Sequence, residues 1–175
     1  MDIREATIED AEDINKLYLQ AFDDSESGIV SDIAVNLLKD DHPVKTISLV
    51  AIEDNKIVGH IAFSPVFLAS TDEHFGYILS PLAVSPQFQK NQIGSTLVRY
   101  GLENIANKDS LIVFVYGDPQ YYSRFGFKTD LALNFKPPYT LQFPQGWQAI
   151  KLNSAGFPEG GKLKCVASLN DPDLW

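Results

Sequence analysis

Leu82-Ala83-Val84-Ser85-Pro86-Gln87-Phe88-Gln89-Lys90-Asn91-Gln92-Ile93-Gly94-Ser95-Thr96-Leu97 is the stretch whose reading decides the fold. A strand ends in it, a polar loop turns, and a helix begins at a small residue. The loop and the first helical turn expose N–H groups without a backbone partner, and the helix dipole adds partial positive charge. Gly94 lacks a Cβ, so a diphosphate can come close to the backbone there. From these residues alone two readings stay open: an anion cradle, or an ordinary strand–loop–helix connection that binds nothing.

Working upstream, the period is that of strands. Phe75 to Val84 reads as one strand, the polar Ser70-Thr71-Asp72-Glu73 patch as a turn, and Ile57 to Phe67 as its partner. Asp54-Asn55 turns the chain back into Thr46 to Glu53. These runs predict an antiparallel meander. Further back the period is helical. Thr7, with Asp10 three residues on, marks a helix start, followed by Ile8, Ala11, Ile14, Leu17, Tyr18, Ala21 and Phe22 on one stripe. A second amphipathic segment carries Ile29, Ile33, Leu37 and Leu38 and stops near Asp41-His42-Pro43. Ile3 to Ala6 opens the chain as a short strand.

Downstream, Ile93, Leu97, Val98, Leu102, Ile105 and Ala106 line one side of a helix that ends near Asn107. Leu111 to Tyr116 is an unbroken apolar run, as a central strand requires, and completes a βαβ unit. Gly117-Asp118-Pro119 starts a short helix through about Phe125. In the C-terminal part, Trp147 to Leu152 and Lys162 to Ser168 read as further strands. The pattern predicts an α/β (α+β) fold, and the 175 residues suit a single domain spanning 1–175.

Composition narrows the function. A formal charge of −9 gives no general pull on nucleic acid or anionic lipid, so any bound anion must be held by local geometry. No run of ~18 uncharged apolar residues appears, which argues against a membrane span. The N-terminus lacks the basic-then-apolar layout of a signal peptide, and one cysteine, Cys165, builds no internal disulfide framework. Cytoplasm is the expected location. Three histidines and one cysteine at scattered positions give no metal-ligand spacing, so no metal is expected. Cys165 has no activating neighbour and reads as buried filler.

Two motifs resemble those of the GNAT superfamily of N-acetyltransferases. Gln89 and Gly94 fall on the first and last positions of its acetyl-CoA signature, Gln/Arg-x-x-Gly-x-Gly/Ala, and Gln92 stands where the signature has its internal glycine. Tyr122, Gly126 and Phe127 match the Tyr-x-x-x-Gly-Phe element that closes the family core. The longer wording Gly-Asp-Pro-x-Tyr-Tyr-x-Arg-Phe-Gly-Phe, from Gly117 to Phe127, is similar to a bacterial subgroup of predicted N-acetyltransferases. The opening Ile3-Arg4-x-Ala6-x-x-x-Asp10 also resembles a GNAT start. The likeness covers about residues 3–130, with 131–175 as a variable part.

The resemblance implies a GNAT fold: a mixed sheet with an antiparallel N-terminal meander and a splayed parallel pair, helices on both faces. It implies acetyl-CoA as cosubstrate. Leu82, Ala83 and Val84 would border the pantetheine, and Gln89, Lys90, Asn91, Gln92, Ile93, Gly94, Ser95 and Thr96 would hold the diphosphate. Tyr122 would give its proton to the leaving thiolate, with Tyr121 beside it as the second choice and a cofactor neighbour. Ser80 occupies the position where many members carry a glutamate base, and would act through an ordered water. His60 and His74 are weaker candidates for that base, since a lone strand histidine is more often structural. The acceptor would be a small-molecule or peptide amine, bound between the N-terminal helices and Tyr139 to Trp147. A homodimer is compatible with this reading. A non-catalytic CoA or acyl-CoA sensor on the same fold is the alternative, and an interaction protein without CoA is a third.

Overall fold

The structure, a computed structural model, describes residues 1–108, 110–153, 156 and 158–175. Its elements in chain order are β1 (Asp2–Glu5), α1 (Ala11–Ala21), α2 (Asp24–Lys39), β2 (Ile47–Glu53), β3 (Lys56–Leu68), β4 (His74–Val84), α3 (Ile93–Ala106) and β5 (Ile112–Tyr116). There follow α4 (Pro119–Tyr122), α5 (Thr129–Ala132), β6 (Phe135–Lys136), β7 (Trp147–Lys151) and β8 (Gly161–Cys165). The chain divides into two compact units, Met1–Phe63 with Ser80–Gly101, and Ser64–Leu79 with Leu102–Trp175; β3 and β4 run from one into the other.

In the first unit β1 and β3 both pair antiparallel with β2. Asp54 and Asn55 join β2 to β3 with φ of 48° and 59°, the left-handed pair that a tight hairpin turn asks for. Ile14, Leu17, Tyr18, Ala34, Val50 and Ala83 close one core cluster. Thr7 and Asp10 form the expected helix start: the Thr7 amide donates to the Asp10 carboxylate at 2.7 Å. Arg4 donates to the same carboxylate through both terminal nitrogens, at 2.7 and 2.8 Å, and holds it down to a pKa of about 2.

Two apolar residues of the expected helical stripes face outward. Ile8 is 57% exposed, because residues 8–10 make a 3₁₀ turn ahead of α1 and leave its phase. Ile29 is 48% exposed, because α2 turns Ser27, Ser31, Ala34 and Leu37 inward instead. Small residues on that stripe let α2 approach α1 closely, and the Ser31 hydroxyl bonds the Asn15 side chain across the contact.

α3 is seated on β3 through two glycines. A Cβ on Gly59 would meet Ile93 Cγ2 at 2.9 Å and Leu97 Cδ1 at 3.0 Å, and one on Gly101 would run into the Phe63 ring. The helix therefore lies closer to this strand than any side chain would permit at those positions.

In the second unit β4 and β5 are parallel, Gly76 to Leu79 against Ile112 to Val115. β7 runs antiparallel to β5, and β8 pairs antiparallel with Val66 to Leu68 of β3. α5 and β6, which the sequence pattern does not predict, fill the connection before β7, and β6 pairs parallel with β8. Aromatic packing ties in the C-terminal part: Phe114 stacks on Trp147 at 5.0 Å, and Trp147 meets Trp175 edge-on at 6.0 Å. Both indoles are satisfied, Trp147 Nε1 donating to the Phe135 carbonyl at 2.9 Å and Trp175 Nε1 to that of Leu169 at 3.0 Å.

His60 is part of the first unit's core and not a base. Its ring is fully buried, with the Tyr18 hydroxyl 2.8 Å from Nδ1 and the Ser48 hydroxyl 2.8 Å from Nε2. A neutral imidazole, one nitrogen donating and the other accepting, satisfies both hydroxyls. Burial pushes its pKa down to about 3, against a smaller upward pull from Asp10. The unfolded chain takes up this proton below about 6.5 and the folded one does not, so stability is complete above that pH and is lost as pH falls toward 3. The expected loss is up to roughly 1.4 kcal/mol per pH unit. Below about 4 the Arg4–Asp10 pair adds to it. In thermal melts, His60→Gln should flatten the fall between pH 6.5 and 4; an unchanged slope would rule out His60 as its source.

Candidate active site

The loop between β4 and α3 is built around two left-handed residues. Lys90 has φ 66° and Gln92 has φ 62°. The Gln92 carbonyl accepts from the Thr96 amide at 2.9 Å and from the Thr96 hydroxyl at 3.0 Å, so Gln92 is the residue from which α3 is propagated. The amides of Ile93, Gly94 and Ser95 belong to the turn that has no intrahelical acceptors. Ile93 is buried against Gly59, while Gly94, Ser95 and Thr96 are half-buried and Lys90, Asn91 and Gln92 exposed.

The Gln89 side chain folds back, its Nε2 donating to the Val84 carbonyl at 3.2 Å, which closes the loop on the strand end. Leu82 and Val84 are half-buried and Ala83 is buried, the alternation of a strand. Ser80 is half-buried on β4, and the peptide bond that follows it, to Pro81, is cis.

In the second unit, Asp118 and Pro119 open α4 with a cap: Asp118 Oδ1 accepts from the Gln120 amide at 2.9 Å. α4 then delivers Tyr121 and Tyr122. The Tyr122 ring is half-buried against Phe127, 5.8 Å away edge-on, and against Tyr121 at 5.0 Å. A Cβ on Gly117 would come within 2.6 Å of the Tyr122 ring, so Gly117 is where the backbone makes room for it. Burial raises the Tyr122 pKa, with further contributions from Tyr121 and Asp118, so the phenol keeps its proton at neutral pH. Its hydroxyl meets no hydrogen-bond acceptor among the described residues. Tyr121 is locked by Arg124, which lies over its ring at 4.4 Å and donates to its carbonyl at 2.8 Å. Gly126 ends this segment with φ 94°.

Beside Gly117 lies a cavity of about 370 Å³, bounded by Tyr116 to Pro119 on one side and by Phe143, Gln145 and Gly146 on the other. The Phe143 amide donates to the Tyr116 hydroxyl at 2.8 Å, and the Gly117 amide to the Gly146 carbonyl at 3.0 Å, which fixes the two walls together. Sequence reasoning pointed to Tyr139–Trp147 as a pocket segment but missed Tyr116 and Asp118. The Asp-Pro helix start at Asp118 was the available signal.

His74 packs between Phe67 and Tyr77, at 5.7 and 5.2 Å, an aromatic setting in the second unit. Cys165 is buried and its pKa is pushed up to about 12, so it is no nucleophile. Among the described residues no group of three His, Cys, Asp or Glu is arranged to hold a metal ion, and no helix is long and apolar enough to cross a membrane.

Known proteins share this chain's sequence and fold. The profile of the acetyltransferase (GNAT) domain matches residues 45–129. The uncharacterized N-acetyltransferase YjhQ of Escherichia coli K12 is 32% identical over 168 residues, 94% of this chain and 89% of that protein. The chain belongs to the GNAT family of N-acetyltransferases. YhbS of the same strain is 34% identical over 121 residues, 68% of each chain. Among solved structures, the YhbS crystal structure with CoA superimposes with a TM-score of 0.84 at 25% identity, covering 97% of this chain and 92% of that one. A GNAT acetyltransferase from Brucella melitensis in complex with acetyl-CoA gives 0.74 at 27%, covering 95% and 96%.

Gln92 thus adopts at an ordinary side chain's expense the conformation that glycine takes freely, at about 1–2 kcal/mol. Measured against the alanine variant, which shares the strain, Gln92→Gly should be the more stable by about 1 kcal/mol in denaturant unfolding. Equal stability of the two variants would mean that residue 92 is not left-handed in solution.

Proposed function

We propose that the protein transfers the acetyl group of acetyl-CoA to an amine by direct attack. Its family supports acetyl transfer, and the observation that carries the reading to these residues is the left-handed Lys90–Gln92 turn feeding the open amides of α3. Ile93, Gly94, Ser95 and Thr96, with Gln89, Lys90, Asn91 and Gln92 around them, take the diphosphate. This local geometry is what allows a chain of charge −9 to hold a polyanion. Leu82, Ala83 and Val84 pair with the pantetheine along the strand end.

The neutral amine nitrogen attacks the thioester carbonyl, a C–N bond forms, and the C–S bond breaks. Tyr122 donates to the departing sulfur and gives up its proton as the thiolate leaves. The nitrogen, positively charged in the tetrahedral adduct, releases the proton that restores the balance. The products are the N-acetylamine and free CoA. A phenol kept protonated by burial suits this role, and general acid catalysis contributes about 10²–10⁴-fold. Ser80 orders a water on the amine side.

Tyr122→Phe removes the hydroxyl and keeps the ring packing. Turnover should fall about 10²–10⁴-fold while the Kd for acetyl-CoA, read by calorimetry, changes less than about two-fold. Full activity in the variant would discard Tyr122 as the acid. Acetyl-CoA binding without turnover in the parent protein would identify a sensor instead.

A further inference from the structure

The cavity beside Gly117 is small and mostly apolar. Resting on the acetyltransferase reading above, we infer that the acceptor is a compact arylalkyl or alkyl amine whose apolar body fills this cavity and whose ammonium is recruited by Asp118. The location argues for it first. Gly117 forms the cavity wall and is also the residue against which the Tyr122 ring is pressed, so an occupant sits next to the proposed proton donor. Size argues for it next. About 370 Å³ lies at the small end of ligand sites and has no room for an oligosaccharide-sized acceptor.

The chemistry of the walls narrows the class. The Tyr116 and Phe143 rings and Pro119 are apolar, and the Gly117 and Gly146 amides are already bonded within the protein. A multiply hydroxylated amine would leave hydroxyls unpaired there, which disfavours it. The polar groups are few: Gln145, the Tyr116 hydroxyl, and the Asp118 carboxylate, whose Oδ1 caps α4 while Oδ2 remains for a ligand. One carboxylate beside aromatic faces is the recognition set of a single cation on an apolar stem. Another hollow of this unit, about 620 Å³, carries Lys136 and Lys162, which repel an ammonium. Asp118 is a positioning group: it raises the local concentration of the amine, which loses its proton before attack.

Asp118→Asn tests this cleanly, since the amide oxygen keeps the cap and only the charge is lost. Initial rates with acetyl-CoA are measured for phenethylamine, spermidine and glucosamine, and the amides of Gly117 and Gly146 are followed by NMR as phenethylamine is added to CoA-saturated protein. The expected result is kcat/KM for phenethylamine at least tenfold above the other two. In Asp118→Asn its KM should rise about tenfold, with kcat within twofold and an unchanged melting temperature. Both glycine amides should shift. Preference for spermidine or glucosamine, or an unmoved KM in Asp118→Asn, overturns the cavity assignment and leaves acetyl transfer standing. If no amine is acetylated the transfer reading falls, and the titration still decides the cavity: silent glycine amides overturn it as well.

Discussion

Close contact between α3 and β3 is the constraint that fixes the start of α3, the proposed phosphate cradle. Helices held off a sheet by ordinary side chains can slide and tilt. Here Gly59 sits under Ile93 and Leu97, and Gly101 under the Phe63 ring, so the helix is held along about its first two turns. Ile93 and Leu97 are 5% and 0% exposed, which makes the first turn of the helix a part of the core on one side. Its other side is what the loop presents outward. The proposed cradle of backbone amides is only as precise as the helix that carries it, and these two glycines set that precision.

The loop residues complete the arrangement at a local energetic cost. Lys90 and Gln92 are both left-handed, a conformation that non-glycine residues reach against their intrinsic preference. Strain of this kind persists only where the surroundings over-determine it. Gln89 bonded to the Val84 carbonyl and Thr96 bonded twice to the Gln92 carbonyl are those surroundings. Within the second unit, Gly117 and Gly126 shape the surroundings of Tyr122, one admitting the ring and the other turning Phe127 back against it.

The strands and the helix–loop motif were legible in the sequence because their signals are local. Apolar runs bounded by turn residues marked β2, β3 and β4, the Asp54-Asn55 pair marked a turn, and an unbroken apolar run marked β5. The motif departure at Gln92 was visible too, and its conformation agrees with the position it fills. What the sequence concealed is non-local. The pairing of β8 with β3 joins residues about a hundred positions apart, and nothing in Leu163 or Cys165 names the partner. Ile8 and Ile29 kept helical spacing on paper, yet a 3₁₀ turn and a stripe of small residues decided which side faces inward. Asp118 looked like a cap and no more, because its place on a cavity wall depends on Phe143 and Gly146 arriving from another segment.

The central claim is that backbone amides at the start of α3 hold the phosphates of the acyl carrier. Titrating the ¹⁵N-labelled protein with coenzyme A, and following the amides of Ile93, Gly94, Ser95 and Thr96, addresses it most directly. The account predicts downfield shifts of these amides that saturate together at micromolar ligand, as hydrogen bonds to an anion require. Saturable binding that leaves all four unmoved, or no binding at all, would contradict it.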